Sequence, residues 1–282
     1  MADLLDRMRR GSERRARDAR AAEPEGALLA RALRTPEPPR LDWAASGFDL
    51  IAEVKRRAPS AGDLVADAQA TPDGVAVRAV AYAAAGAAAV SVLTEPDAFG
   101  GSLADVTAAA RAVRVPVMRK DFLVDPYQVI EARAAGAAGV LVIARMLDDR
   151  RIAEMIDAAQ RTALFVLLEA FDERDLDRCA AAHEAAAESG VTMPVGLNGR
   201  DLATLRVDVG RLVDLAPRFP PGCLKVAESG LGDPEAAARI ARAGYRAALV
   251  GSALMRQADP RPLVRSMIEA GRAEARRSCV SE

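Results

Sequence analysis

Short apolar runs alternate along the chain with longer alanine-rich stretches, and this rhythm begins near Phe48. Runs of this length that are rich in valine, isoleucine and leucine are typical of strands buried in a parallel sheet. The alanine-rich stretches predict helices, and several end near a glycine (Gly86, Gly136, Gly244), which suits a helix terminus that reverses into the next strand. The predicted strands are Leu50–Val54, Ala88–Leu93, Val115–Met118, Gly139–Ile143, Ala163–Leu168, Pro194–Leu197, Leu224–Ala227 and Ala247–Val250.

Alternating strands and helices imply a parallel sheet, and about eight such units imply a closed barrel. The predicted fold class is therefore α/β, specifically a (β/α)₈ TIM barrel. The main alternative is a doubly wound open sheet. Such a sheet usually carries a glycine-rich dinucleotide fingerprint after its first strand, and the segment Lys55-Arg56-Arg57-Ala58-Pro59 is not one.

Residues 1–45 differ from the rest of the chain because closely spaced arginines are mixed there with acidic residues. A basic arm for nucleic acid is one interpretation. A solvated helix laid against the main domain is favoured, since the acidic residues dilute the positive field. Pro36, Pro38 and Pro39 form a short stiff connector. We therefore expect a helical extension over 1–45, packed on a catalytic barrel over 46–282.

Composition excludes several classes of function. The net charge of −1 gives no reason to expect nucleic acid or an anionic membrane as a partner. Cys179, Cys223 and Cys279 are scattered, which argues for a reducing compartment, and the single His183 gives little support to a histidine triad or zinc site. No apolar run reaches membrane-spanning length and no signal peptide is visible. We expect a cytoplasmic enzyme with no metal or cofactor, as a monomer or weak dimer.

Charged and polar residues follow the predicted strands where each strand ends. In a barrel these ends meet at one mouth, which is the active-site face. Charges buried together at that density must pair, shift their pKa values, or both. The residues at these ends are Glu53, Lys55, Lys120, Glu169, Asn198, Arg200, Glu228 and Ser229.

Lysine is rare in this chain, because only Lys55, Lys120 and Lys225 stand among its 39 basic residues. Arginine does not lose its proton near neutral pH, whereas a desolvated lysine does so readily. Two of the three lysines end predicted strands. A structural ion pair is the alternative interpretation of either one.

Two further groups of residues suggest what binds at the mouth. Ser229 and Gly230 follow the seventh predicted strand, and Gly251 and Ser252 follow the eighth. Loops at these two positions form the recurrent phosphate cradle of barrels, although a serine that only caps a helix is the alternative. A pocket for an aromatic ring is predicted from apolar residues whose default role is core packing: Phe99, Phe122, Leu141 and Ile143.

With these residues in place, the chain resembles the indole-3-glycerol-phosphate synthase family of tryptophan biosynthesis. The more specific elements are Glu53-Val54-Lys55 with Pro59-Ser60, and Arg119-Lys120-Asp121-Phe122. The remaining matching segments are Leu93-Thr94-Glu95-Pro96, Phe99-Gly100-Gly101-Ser102-Leu103, Glu131-Ala132-Arg133-Ala134-Ala135-Gly136-Ala137, Asn198-Gly199-Arg200-Asp201-Leu202, Ala227-Glu228-Ser229-Gly230 and Leu249-Val250-Gly251-Ser252.

The resemblance implies ring closure of 1-(2-carboxyphenylamino)-1-deoxyribulose 5-phosphate to indole-3-glycerol phosphate, carbon dioxide and water, without a cofactor. Lys120 would then be the general acid, and Lys55 would hold the substrate carboxylate and take part in the proton transfers of dehydration. Glu169 would be the general base or a charge stabiliser. A lysine in a dry, positively crowded mouth is expected to have a lowered pKa. Glu53, Asn198, Glu228 and Ser229 would orient these groups, whereas Ser60, Arg200, Gly230, Gly251 and Ser252 would contact the substrate or its phosphate.

The sequence departs from the family pattern at Ala58, Ala61, Phe171 and Gly199, where serine, lysine, histidine and a small or amide side chain, respectively, are usual. These departures leave room for a paralogue that acts on a substituted anthranilate. Other phosphate-binding barrels, such as a phosphoribosylanthranilate isomerase or a tryptophan synthase α-type lyase, are weaker alternatives. A non-catalytic or nucleic-acid-binding barrel is the remaining one.

Overall fold

The computed structural model describes residues 2–43, 47–58, 62–64, 70–201 and 206–280. Its centre is a closed barrel of parallel strands that neighbour one another in chain order. The barrel closes where the last strand pairs with the first, with Ala247 opposite Asp49. The barrel strands are β1 (Asp49–Val54), β4 (Ala89–Leu93), β5 (Val117–Lys120), β6 (Gly139–Ile143), β7 (Phe165–Ala170), β8 (Val195–Asn198), β9 (Lys225–Glu228) and β10 (Ala247–Val250).

A small antiparallel hairpin, β2 (Arg57–Ala58) with β3 (Gly62–Asp63), follows the first barrel strand. This hairpin was not predicted. Short 3₁₀ turns occur at Ala144–Met146 and Ala216–Arg218. The helices are α1 (Ala2–Ala22), α2 (Glu25–Arg34), α3 (Pro72–Ala84), α4 (Pro96–Phe99), α5 (Leu103–Ala112), α6 (Pro126–Ala134), α7 (Asp149–Thr162), α8 (Glu173–Glu188), α9 (Val209–Leu215), α10 (Pro234–Arg242), α11 (Ser252–Met255) and α12 (Arg261–Val280).

Most helices that follow a strand begin at an acidic cap. Asp125 caps α6 in a capping box with Gln128, and Pro126 then occupies the first turn. Asp172 caps α8 by accepting a hydrogen bond from the backbone N–H of Asp175. A carboxylate at this position satisfies an otherwise unpaired N–H group and complements the helix dipole. The caps therefore fix where each loop at the barrel mouth ends.

Side chains alternate between the inside of the barrel and the surrounding helices, as the period of two in a strand requires. One buried apolar cluster fills the interior and includes Ile51, Met118, Leu167, Val226 and Leu249. A second, larger cluster packs the outward side chains against the helices. Each of the five interior residues stands two positions before a residue at the mouth, so the apolar layer is the floor of the site.

The (β/α)₈ fold and its eight strands are confirmed, with small differences in bounds. Gly139–Ile143 and Ala247–Val250 were predicted with the observed limits. The third barrel strand begins at Val117, two residues later than expected, and extends through Lys120. Ala163 was assigned to a strand, but it ends α7 in a left-handed conformation with φ of 56°.

The N-terminal helices lie against α6. Leu28 and Ala32 are fully buried beside Ile130 and Tyr127. The Tyr127 hydroxyl donates to the carbonyl oxygens of Ala19 and Glu23, whose distances are 3.0 and 2.8 Å. In the described ranges, no helix combines the length and the apolar character that crossing a membrane requires.

Candidate active site

The charged residues at the end of β5 point to opposite sides of the barrel. Lys120 points inward, two residues after the interior residue Met118, whereas Arg119 points outward. Arg119 donates to Thr94 Oγ1 at 3.2 Å and pairs with Asp121 Oδ2 at 3.2 Å. Asp121 also accepts from Thr94 at 2.8 Å and from Arg15 of α1 at 3.0 Å. We call Arg15, Thr94, Arg119 and Asp121 the outer cluster.

The inward-facing charges form a second group, the mouth cluster, which consists of Glu53, Lys55, Lys120, Glu169 and Glu228. Lys55 Nζ lies 2.5 Å from Glu53 Oε1, and Lys120 Nζ lies 3.6 Å from Glu228 Oε2. The three carboxylates are each 1–3% exposed, and the two lysine side chains are 14% and 17% exposed. The structure therefore brings together the two lysines and three glutamates that the strand ends indicated.

Asn198 and Arg200 extend the mouth cluster along β8. The amide of Asn198 donates to Glu169 Oε1 at 2.5 Å, and its oxygen accepts from the backbone N–H of Arg200 at 3.0 Å. Asn198 thus fixes one oxygen of the Glu169 carboxylate. The positive charge of Arg200 acts on Glu53 and is one of the causes that lower the pKa of that carboxyl.

The pKa of Lys120 is raised, so the expected lowering is wrong. Burial alone would lower it, but the carboxylates of Glu169, Glu228 and Glu53 surround the ammonium group and outweigh burial. The charges that act most strongly on Lys120 are therefore acidic groups rather than other cations. Lys120 is therefore held as an ammonium ion, the proton-bearing form that a general acid requires.

The two carboxyls nearest the lysines shift in opposite directions. Burial, reinforced by the neighbouring Glu169 carboxylate, raises the pKa of Glu228 to about 8, although Lys120 opposes this. Burial also acts against ionisation of Glu53, yet Lys55 and Lys120 together bring its pKa below the ordinary value. The difference follows from geometry, because Glu53 has a lysine at hydrogen-bonding distance and Glu228 does not.

The loops after β9 and β10 lie where a phosphate cradle was predicted. Ser229 and Gly230 both have left-handed backbones, with φ of 67° and 83°. For serine this conformation costs roughly 1–3 kcal/mol and persists only where the surrounding structure enforces it. A Cβ at Gly251 would overlap the Glu53 carboxylate, so this glycine makes room for the Glu53–Lys55 pair. Ser252 is the first residue of α11 and is half-buried.

Apolar residues line the mouth beside β5 and β6. The rings of Phe99 and Phe122 are tilted, with centroids 6.1 Å apart, and both are half-buried. Ile143 is 4% exposed in the interior cluster, and Leu141 is fully buried two residues below it. The phenylalanines thus lie nearer the solvent than the two aliphatic residues.

Some predicted positions lie elsewhere or outside the described residues. Ser60 and Ala61 fall outside them, and the side chain of Ala58 is not described. Gly199 is closely enclosed, since a Cβ there would lie 3.1 Å from the carbonyl oxygen of Asp208. Among the residues that the structure describes, no group of three or more histidine, cysteine, aspartate and glutamate side chains could hold a metal ion.

Sequence reasoning missed the clamp around Phe171. The guanidinium of Arg145 lies 5.0 Å from the Phe171 ring centroid and pairs with Asp172 at 2.5 Å and Asp175 at 2.6 Å. Asp175 also accepts from the Phe171 N–H at 2.9 Å, and Arg211 donates to the Phe171 carbonyl at 2.7 Å. Arg145 comes two residues after the end of β6, which is the same strand-end signal that marked the other candidates.

Comparison with known proteins bears directly on this arrangement. The family model described as indole-3-glycerol phosphate synthase matches residues 27–267. The chain belongs to the indole-3-glycerol phosphate synthase family. A relative of that name from Nocardioides sp. is 47% identical over 82% of this chain and 84% of its own length. Another from Parafrankia sp. is 42% identical over 96% of both chains.

Solved structures outside the indole-3-glycerol phosphate synthase family share the fold. A 3-hexulose-6-phosphate synthase superposes with a TM-score of 0.59 at 19% identity, covering 79% of this chain and 99% of that one. A thiamine phosphate pyrophosphorylase from Pyrococcus furiosus superposes with a TM-score of 0.54 at 15% identity, covering 81% and 97%. At these identities the likeness concerns the barrel alone.

Proposed function

We propose that this protein is an indole-3-glycerol phosphate synthase. It closes the pyrrole ring of 1-(2-carboxyphenylamino)-1-deoxyribulose 5-phosphate and releases indole-3-glycerol phosphate, carbon dioxide and water. The observation that carries the proposal is the mouth cluster, in which two lysines and three glutamates meet at the carboxyl ends of the barrel strands in a member of this family. Ring closure needs a proton donor, a proton acceptor and fixed charges, and this cluster supplies all three.

Lys120 is the general acid of this proposal. It donates a proton to the ribulose carbonyl oxygen as the aromatic carbon bonds to the carbonyl carbon, so that an N–H bond breaks and an O–H bond forms. The surrounding acidic groups, of which Glu169 acts most strongly, raise the pKa of Lys120 and keep it protonated until that step. Glu169 is the general base or the stabiliser of positive charge on the ring, and its hydrogen bond with Asn198 supports this role by fixing its orientation.

Lys55 binds the substrate carboxylate that is lost as carbon dioxide. Its ammonium group is half-buried at the mouth and lies against Glu53. This arrangement lets Lys55 approach an anionic group while Glu53 directs its orientation. Glu53 and Glu228, with Ser229, orient the lysines and the sugar hydroxyls, and Lys55 takes part in the proton transfers of dehydration.

The substrate's phosphate is assigned to the loops after β9 and β10, and its aryl ring to the apolar side of the mouth. Gly230, Gly251 and Ser252 offer backbone N–H groups or a hydroxyl to the phosphate, with Ser60 and Arg200 as further contacts. The half-buried ring pair supports the placement of the aryl group. Its proposed contacts are Phe99, Phe122, Leu141 and Ile143.

The proposal includes a division of the chain and a location. Residues 1–45 act as a helical extension on the barrel of 46–282, supported by the Tyr127 hydrogen bonds to α1 and to the α1–α2 junction. The enzyme works in the cytoplasm, which the scattered cysteines and the absence of paired spacing favour.

The decisive test is turnover of the carboxyphenylamino-deoxyribulose phosphate, followed by indole fluorescence without added metal or nucleotide. We expect wild type to turn over and Lys120→Met to lose at least about a hundredfold, the low end for removal of a general acid. Lys225→Met is the matched control, because Lys225 is the remaining lysine and its Nζ bonds to the Ala216 carbonyl instead. Wild-type protein that binds the compound without turnover would indicate a different aryl group. Failure to bind it would disprove the proposal.

A further inference from the structure

Gly196 occupies the middle of β8, inside the barrel. It is aligned with Glu169 on β7 and with Val226 on β9, and it stands two residues before Asn198 on the same face. Its φ is not among the positive values, so the backbone does not require glycine. Glycine inside a strand weakens it and commonly marks a place where another group approaches closely. Another group is therefore expected to occupy the space beside Gly196.

The carboxylate of Glu228 fills that space. A Cβ built on Gly196 would overlap Glu228 Oε1 and would lie 3.2 Å from Glu228 Cδ and 3.3 Å from Leu167 Cδ1. An alanine at this position would have to push the carboxylate away. The bare backbone of β8 thus forms a recess with the shape of the glutamate head group.

The recess keeps the Glu228 carboxylate dry. The Glu228 side chain is 1% exposed, and neither oxygen has a hydrogen-bond partner among the described residues. It forms an ion pair with Lys120 Nζ at 3.6 Å, which is beyond hydrogen-bonding distance. A carboxyl in such surroundings is governed by burial and by the neighbouring charges of Glu169 and Lys120 rather than by water.

We propose that Gly196 is a positioning residue, whose missing side chain holds the Glu228 carboxylate in a dry recess and thereby sets the charge around Lys120. This inference rests on the proposed function and adds a residue that touches no reacting atom. Movement of Glu228 toward solvent would let water stabilise its ionised form. The carboxylate that Lys120 faces would then differ in position and in protonation near neutral pH.

The first test is Gly196→Ala, measured for kcat, KM and the pH dependence of kcat. Because a misplacement of about 1 Å can cost roughly a hundredfold, we expect kcat to fall at least about tenfold with a smaller change in KM. We also expect the pH dependence of kcat to change, since the buried Glu228 carboxyl takes up its proton near pH 8 and a displaced, hydrated carboxyl would do so at lower pH. The matched control is Gly26→Ala on α2, where a Cβ would meet nothing within 4 Å. Wild-type kcat and pH profile in Gly196→Ala would overturn the proposal.

The second test measures thermal stability and does not depend on turnover. Glu228→Asp shortens the side chain by one methylene and should relieve the overlap with an added Cβ. We expect the Tm loss caused by Gly196→Ala to be at least halved in the Glu228→Asp background. An equal loss in both backgrounds, or a double variant that folds no better than Gly196→Ala, would overturn the proposal. If wild type showed no turnover, the proposed function would fail while this cycle still tested the recess.

Discussion

Strand β5 separates two clusters of buried charge that differ in how completely their polar atoms are hydrogen-bonded. In the outer cluster, Asp121 alone accepts from Arg15, Thr94, Arg119 and the backbone N–H of Phe122. In the mouth cluster, both oxygens of the equally buried Glu228 lack a hydrogen-bond partner among the described residues, although Lys120 lies 3.6 Å away. The two clusters meet at β5, where Arg119 belongs to the outer cluster and the adjacent Lys120 belongs to the mouth cluster.

This difference separates buried charges that stabilise the fold from buried charges that take part in the reaction. A buried ion pair whose remaining donors and acceptors are all hydrogen-bonded stabilises the fold. Removing one partner leaves the other charge buried and unpaired. A buried carboxylate without hydrogen bonds is held in place by the rest of the fold at a cost in stability. The mouth cluster therefore should govern turnover, and the outer cluster should govern stability.

The largest effect is expected for Glu169→Gln in the mouth cluster. Glutamine still offers an oxygen to Asn198 but neither accepts a proton nor carries charge, so turnover should fall by about 10²–10⁴. The free energy of unfolding should change little. The control from the other face of β5 is Glu131→Gln, which loses the 3.3 Å ion pair with Arg119. The division between the clusters would be wrong if both variants lost turnover equally.

Asp121→Ala should have the largest effect on stability. It removes one of the two carboxylates paired with the buried Arg119 and the acceptor of Arg15 and Thr94, and breaking a buried pair in this way typically costs about 3–5 kcal/mol. Urea unfolding measures this loss, and turnover per folded molecule should fall less than the roughly hundredfold expected of a lost general acid. Asp259→Ala, which breaks only the exposed contacts with the side chain and backbone N–H of Arg261, should lose much less stability. A marginal loss in Asp121→Ala would contradict the structural role of the outer cluster.

Glu228→Gln should change how the stability of the protein depends on pH, because it removes the buried carboxyl group. The pKa of Glu228 is about 8 in the folded protein against an ordinary value of 4.5. Between these values the folded state binds more protons than the unfolded state, so stability falls as pH rises. Glutamine removes this dependence. The Tm of Glu228→Gln relative to wild type should therefore increase from about pH 5 to about pH 8, and a constant difference would refute the assignment.

The smallest effect is expected for Arg145→Met, which removes the clamp on Phe171 but leaves Glu169 itself intact. A small displacement of β7 at its end should lower kcat by about tenfold or less with little change in KM. Arg178→Met is the matched control, because Arg178 holds the same 3₁₀ turn through the carbonyls of Ala144 and Leu147 without touching Phe171. Equal losses in the two variants would mean that helix docking, and not the clamp, matters.

The positions of the mouth residues followed from the sequence, but their electrostatics did not. Successive side chains of a strand point alternately inward and outward, so a charged residue two positions after an interior residue is predicted to face the mouth. Lys120, Glu169 and Glu228 do so. Which charges face Lys120 depends on distances across the barrel between strands far apart in sequence. The direction of its pKa shift was therefore predicted incorrectly. The strand began at Val117 rather than Val115, because Pro116 has no N–H to donate to the sheet.

Gly196 shows a signal that was present in the sequence and went unused. A glycine in an otherwise apolar strand marks close approach, but its partner is Glu228, 32 positions later in the chain. The clamp by Arg145 was equally hidden, since it joins the loops after two different strands. Sequence indicates which residues reach the mouth, whereas packing decides which of them meet.

The placement of the three lysines makes the protein unusual toward amine-directed reagents. Lys55 and Lys120 lie in the mouth, and Lys225 donates to the Ala216 carbonyl at 2.9 Å with its Nζ 5.5 Å from the Phe219 ring centroid. The described residues include all three, and none is fully exposed. Acylation through amines should therefore be slow at Lys120, whose raised pKa keeps the unreactive ammonium form, and protection of Lys55 by bound substrate would report occupancy of the mouth.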